Sequence, residues 1–257
     1  MDVLRKELEE IYYSQNLEEE DLPGKILTES RSIAEILASE GKGSTVITDA
    51  SSDTCYIYGG DFGIVIGFFS QKNDCKEESS SDEDIIYARI HPEDLVDKRL
   101  LEFEFFKFVD KLSPKDKLSY KATCRLRMKD ASGKYIYVEN TTRLLRLSPA
   151  GKIWVILCSY DLSPRQDVEK GIFPKIINTA SGEVTGLLLS GRRKKILTER
   201  EKEILLLIQE GFPSKIIADK LKISVHTVNR HRQNIISKLS VGNSIEAIAA
   251  AKVMDLF

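Results

Sequence analysis

The 257-residue sequence contains nothing near 18 consecutive apolar residues, so no membrane-spanning helix is expected. Its opening stretch, MDVLRKELEEIYY, is charged throughout and lacks an apolar leader core, which argues against secretion and for a cytoplasmic protein. Four cysteines (Cys55, Cys75, Cys124 and Cys158) lie far apart with no C-x-x-C among them. Neither a zinc site nor a disulfide framework is expected, and free thiols are the default. Histidines are scarce: His91, His226 and His231 are the only three. They form no H-x-x-x-H pair or His/Cys cluster for a metal, and His91 has no evident nucleophile partner. The glycine-rich stretch Gly59–Gly63 lacks the Lys-Ser/Thr of a phosphate-binding loop and opens no long helix. These absences leave no enzyme chemistry to nominate, and no cofactor is expected.

What is present divides in two. At this length, about 100–200 residues per domain gives two domains, and 42% hydrophobic content allows a core in each. The net charge of −2 hides an asymmetry. Residues 192–257 hold 13 Lys and Arg against 7 Asp and Glu, net +6, whereas the rest holds 25 against 33, net −8. A basic module on an acidic body fits a nucleic-acid binder whose other half has a different task.

Within the basic module, Pro213 to Leu239 reads as two helices joined by a tight turn. At 3.6 residues per turn, Val225, Val228, Ile235, Ile236 and Leu239 share a stripe that needs a packing partner. His226, Asn229, Arg230, Gln233 and Ser237 share another stripe, turned outward and free of carboxylates. Asn and Gln can pair with adenine, and Arg with guanine, by two hydrogen bonds each in the major groove. Upstream, Thr198 and Glu201 form a T-x-x-E capping box, and Ile204, Leu205, Leu207 and Ile208 give the helix they open an apolar face. Gly211 stands where that helix stops. Ser224 is a good N-cap for the outward-facing helix, with Ile223 plugging the core beneath the turn. Ala218 is small where two helices cross, and a fourth, Ala-rich helix follows Gly242-Asn243.

Over residues 197–251 these features resemble a LuxR-type DNA-binding domain, through LTEREKEIL, Gly211, Lys215, Ile217-Ala218, Leu221, Ile223-Ser224, Thr227-Val228, His231, Asn234-Ile235, Lys238-Leu239, Val241 and Glu246-Ala247. The sequence departs from the family's habit at Ile216, Asn229 and Ser244. The resemblance implies an all-α four-helix, helix-turn-helix domain that binds double-stranded DNA as a homodimer. His226, Asn229, Arg230 and Gln233 are the expected readers of base edges. Ser214, Lys215, Ser224, Thr227, Arg232 and Lys238 are the expected holders of the phosphate backbone. The basic run Arg192-Arg193-Lys194-Lys195 is also placed on phosphates.

Ahead of this module, residues 1–40 read as two helical pieces around the acidic run Glu18-Glu19-Glu20-Asp21, taken as solvated surface, with Thr28 and Ser30 as candidate caps. Short strands STVIT and CYIYG follow, then GGDFGIVIGFF as a helical turn or two. Ser70–Asp84 is polar and reads as a flexible surface loop. HPEDL opens a longer helix, and three strands over Ser119–Lys129, Tyr135–Leu147 and Ile153–Tyr160 form a meander. IWVILC, apolar on both faces, belongs mid-sheet. Two strands, short helices, a longer helix and a three-strand meander is the order of a PAS domain. The sequence is similar to that family at TVITDASSDTCYIYGGDF, Gly67-Phe68, HPEDL, RMKDASGKYIYV and Ser159-Tyr160-Asp161-Leu162. Cys75 lacks the Asn-Cys-Arg setting of flavin-adduct photoreceptors, and no His is placed to ligate haem.

The expected protein is α+β: a helical segment at 1–40, a PAS-like antiparallel sheet with flanking helices at 41–163, a connecting hairpin with its turn at Ala180-Ser181-Gly182 in 164–191, and the four-helix domain at 192–257. Its expected task is DNA-binding transcriptional regulation, the PAS-like domain sensing a signal or mediating dimerisation. The alternative is a protein-interaction module in which DNA binding is secondary. A small-molecule ligand of the PAS-like domain and RNA polymerase are carried as open partners, and no membrane partner is expected.

Overall fold

The structure is a computed structural model that describes residues 3–41, 43–71, 74–79, 83–167, 171–189, 196–239, 241–253 and 256. The chain divides into two compact units, one of residues 7–187 and one of residues 1–6 with 188–257. The basic run at 192–195 lies outside the described residues.

The first unit is built on one antiparallel sheet of β1 (Ser44–Asp49), β2 (Thr54–Gly59), β3 (Cys75–Glu78), β4 (Tyr120–Lys129), β5 (Tyr135–Leu147), β6 (Ile153–Leu162), β7 (Lys175–Asn178) and β8 (Val184–Gly186). The spatial order is β3-β2-β1-β6-β5-β4-β7-β8. As expected, two strands, short helices, a long helix and a meander follow one another. The short helices are α3 (Asp61–Val65) and α4 (Asp84–Tyr87), and the long one is α5 (Pro92–Asp110). His91 caps α5 by accepting the Glu93 amide at Nδ1, 3.3 Å away, with Pro92 in the first turn. A one-turn helix α6 (Pro114–Lys117) leads into β4.

The IWVILC stretch occupies β6, between β1 and β5, and is buried along its length. Strand alternation then gives the sheet two different faces. On one, Ile47, Tyr56, Tyr58, Val155 and Leu157 pack with Ala34 and Ala38 of α2 (Gly24–Gly41), which follows α1 (Val3–Tyr13) in the chain. The opposite face carries Val46, Ile57, Leu126 and Val138, all buried, on the side of α5, with its buried Leu101, Phe105 and Phe106.

Several local expectations are corrected. Part of the polar stretch Ser70–Asp84 is strand β3, paired with β2 from Tyr58↔Cys75 to Cys55↔Glu78. Backbone pairing satisfies the open edge of β2, and the charged CKEE side chains suit an edge strand. Thr28 and Ser30 cap nothing. They lie inside α2, and their hydroxyls bond back to the carbonyls of Gly24 and Ile26 at 3.1 and 2.7 Å. The acidic run is not all solvated. Glu20 accepts from the Ser148 hydroxyl at 3.0 Å and the Ala150 amide at 3.1 Å, and pairs with Lys152 at 3.2 Å. Gln15 Oε1 accepts the Ile153 amide at 3.0 Å, so this segment straps the β5–β6 turn. The hairpin formed by β7 and β8, expected as a connector packing on one domain or at the dimer interface, extends the sheet, because β7 pairs with β4.

The α5 side of the sheet is also more polar than the run of Phe and Leu implied. Lys98 and Glu102 form a buried ion pair, Tyr87 donates to Glu102 at 2.8 Å, and Tyr160 donates to Glu83. Burial draws the Lys98 ammonium down, but Glu102 together with Cys158, Glu83 and Cys124 outweighs it and holds the group above the ordinary lysine value. Glu83 has no such close cation. Burial pushes it up, against a weaker pull from Lys98. The same burial pushes the Cys124 thiol up to about 12, so it is inert as a nucleophile at neutral pH.

Candidate nucleic-acid interface

The second unit carries four helices: α7 (Glu199–Gln209), α8 (Ser214–Leu221), α9 (Val225–Lys238) and α10 (Ser244–Val253). Thr198 and Glu201 close the capping box that starts α7, and Gly211, at a φ of 87°, ends it where a Cβ would be strained. Lys222 takes the same left-handed region at the end of α8, at φ 54°. That sharp reversal delivers the chain to Ser224, whose hydroxyl accepts the Thr227 amide at 3.0 Å and starts α9. Asn243 opens α10 by accepting the amides of Ile245 and Glu246.

Ile204, Leu205, Ile217, Ala218, Val228, Ile235, Leu239, Ala247 and Ala251 are buried and hold the helices together. Of the inward stripe on α9, Val228, Ile235 and Leu239 lie in this core, Ile236 is half-buried, and Val225 is exposed. Val225 is the first residue of α9, a turn before the helix reaches its neighbours.

The structure leaves His226, Asn229, Arg230 and Gln233 all exposed on α9. None is drawn into a hydrogen bond or ion pair with another described residue. The three amide and guanidinium side chains therefore keep their donors and acceptors available in the first two-thirds of the helix. Lys215, on α8, is exposed as well.

The remaining side chains have internal partners. Arg232 donates to the Ser214 hydroxyl at 3.0 Å and to the Ser244 hydroxyl at 3.1 Å. It thereby ties the starts of α8 and α10 to the middle of α9. Ser244 is one of the residues at which the sequence departs from the LuxR-type pattern. Lys238 pairs with Glu201 at 2.7 Å, and the Glu201 carboxylate also accepts the Thr198 amide at 2.8 Å. One carboxylate thus closes the cap of α7 and anchors the end of α9. Ser224 and Thr227 hydroxyls lie 2.8 Å apart at the N-terminus of α9. Sequence spacing had no means of showing these inter-helix contacts, because the partners lie 12 to 37 residues apart.

Elsewhere, one group of metal-ligating types occurs among the described residues: His91, Glu93 and Asp94, with ligand atoms within 4.8 Å. Arg127 already donates to Glu93 at 2.8 Å and Asp94 at 2.6 Å, so the negative charge there is met by a guanidinium. Among the described residues no helix is long and apolar enough to cross a membrane.

Comparison with known proteins places the second unit. Residues 195–251 match the family described as "Bacterial regulatory proteins, luxR family". Over 57 residues the chain is 46% identical to the response regulator protein VraR of Staphylococcus aureus and to that of Staphylococcus saprophyticus. Each alignment covers 22% of this chain and 27% of the relative, so the chain spans about a quarter of the length of the curated relatives it matches. Among solved structures, a phage VqmA in complex with DPO aligns over 88% of both chains at 18% identity and a TM-score of 0.28. The VqmA dimer of Vibrio cholerae aligns over 92% of this chain and 89% of that one, at 16% identity and a TM-score of 0.31. Residues 195–251 form a helix-turn-helix domain of the luxR type.

Proposed function

We propose that the chain is a homodimeric, cytoplasmic DNA-binding transcription regulator whose PAS-like unit senses a signal or supplies the dimer contact. The observation that carries this reading is the exposed face of α9, where His226, Asn229, Arg230 and Gln233 stand together without a carboxylate. A helix-turn-helix protein presents the N-terminal part of its second helix to base edges in this manner. Asn229 and Gln233 suit adenine, and Arg230 suits guanine. Lys215, Ser214 and Thr227 at the helix starts hold phosphates and set the register. Lys238, expected on the backbone from sequence, is assigned instead to positioning, since Glu201 already pairs its charge, while Arg232, whose partners are the neutral hydroxyls of Ser214 and Ser244, keeps its charge for the phosphate backbone.

The test is the salt dependence of binding to double-stranded DNA by the full chain. Counterion release makes affinity fall steeply as salt rises, whereas an apolar protein contact shows little such slope. Lys215→Ala is expected to weaken every DNA sequence about equally and to lower the slope by about one. A flat salt response would favour the protein-interaction alternative.

A further inference from the structure

A cleft opens on the sheet of the first unit, on the face that carries α2 but toward the β4–β5–β7 end. It measures about 300 Å³ and is lined by Thr123, Arg125, Glu139, Arg165, Phe173 and Lys175. This volume is at the small end of ligand pockets. Its wall is built with unusual care for a surface feature. Arg125 is only 6% exposed, and its guanidinium lies 4.8 Å from the Tyr137 ring centre and 5.3 Å from that of Phe173. Phe173 holds a φ of 51°, a conformation costly for a bulky residue and found chiefly where surrounding structure enforces it. The residue is nonetheless 45% exposed.

The charges converge. Arg125, Arg165 and Lys175 bring three cations to the cleft. Asp167 stands between the two guanidiniums, one carboxylate oxygen 3.6 Å from Arg125 and the other 3.3 Å from Arg165. Glu139 is held by the Ser163 hydroxyl at 2.6 Å. Asp167 and Arg165 are both more than half exposed, so their pairing is readily exchanged for another anion. We propose that this cleft binds a small organic anion, a carboxylate or phosphate ester on a single-ring body. Its charged end takes the place of the Asp167 carboxylate between Arg125 and Arg165, and its ring lies against Phe173. Arginine pairs carboxylates and phosphates through two parallel hydrogen bonds, which favours such a ligand over a simple halide. The site is independent of the DNA-reading face, and neither reading rests on the other.

The experiment titrates the full chain with benzoate, with phenyl phosphate and with the neutral benzamide, followed by calorimetry and by backbone NMR shifts at Thr123, Phe173 and Lys175. Saturable binding of at least one anion, with none by benzamide, is expected, and the anion preferred identifies the headgroup. Lys175→Gln and Arg165→Gln, both exposed and tolerable to the fold, each weaken it about tenfold, the worth of one charge-assisted hydrogen bond. Asp167→Asn tightens it. Absence of saturable anion binding, equal binding of benzamide, or binding indifferent to Lys175→Gln and Arg165→Gln would overturn the proposal.

Discussion

Lys98 and Glu102 are two charges taken wholly out of water, each relying on the other. Removing one partner leaves an uncompensated buried charge, which costs far more than the pair contributes. Lys98→Met is therefore expected to destabilise the chain by about 3–5 kcal/mol in urea unfolding, and Lys98→Met with Glu102→Leu to recover most of that loss. Glu83 adds a pH signature. Its folded pKa is raised above the ordinary 4.5, so the folded chain holds this proton more tightly than the unfolded one. Its contribution to stability is thus present in acid and is lost as pH rises above the ordinary carboxylate value. Burial sets most of that loss, with the Lys98 and Glu102 charges and the hydrogen bond from the Tyr160 hydroxyl adjusting it. Glu83→Gln is expected to flatten the fall in stability as pH rises above the ordinary carboxylate value, relative to the unmodified chain. A variant whose pH profile tracks the unmodified chain would show that Glu83 ionises freely.

At the level of elements, much of the order was legible and the partners were not. The helices of the second unit announce themselves through period, caps and a stop: Thr198 with Glu201, Gly211, Ser224 and the Val228/Ile235/Leu239 stripe all stand where local rules put them. The β4–β5–β6 meander is equally plain, because Gly133 and Gly151 mark its turns and IWVILC is apolar on both faces. What local rules miss is any element whose reason lies across the fold. The strand β3 exists because β2 offers an unpaired edge, and CKEE itself shows no strand alternation. Thr28 and Ser30 look like caps, yet α2 begins at Gly24 and they bond back within it. Glu20 looked solvated until the β5–β6 turn arrived from 128 residues away. Lys238 shows the same limit within the candidate interface. Its pairing with Glu201 is 87–97% shielded from solvent, so Lys238→Met is expected to cost about 2 kcal/mol. A double-mutant cycle with Glu201→Gln should show the two losses to be non-additive. Losses that simply add would return Lys238 to the phosphate backbone.

Taken as a whole, the molecule joins an acidic body to a basic helix-turn-helix unit, and the proposed regulator requires two copies. A symmetric dimer matches paired half-sites one or more helical turns apart. On α10, Ile245 is 80% exposed and Ala249 is exposed beside it, a surface suited to self-association. Light scattering at micromolar concentration is expected to give a dimer, and a monomer both with and without DNA would contradict that assembly. The most direct test concerns who reads sequence. Full-length protein and its Arg230→Ala variant are titrated against a panel of duplexes carrying every single-base change in the bound site. The expected outcome is a loss of about 1–3 kcal/mol on the cognate site, with discrimination flattened at one or two base pairs and preserved elsewhere. A loss spread evenly over the panel would place Arg230 on phosphate and contradict the assignment of the α9 face as the reader.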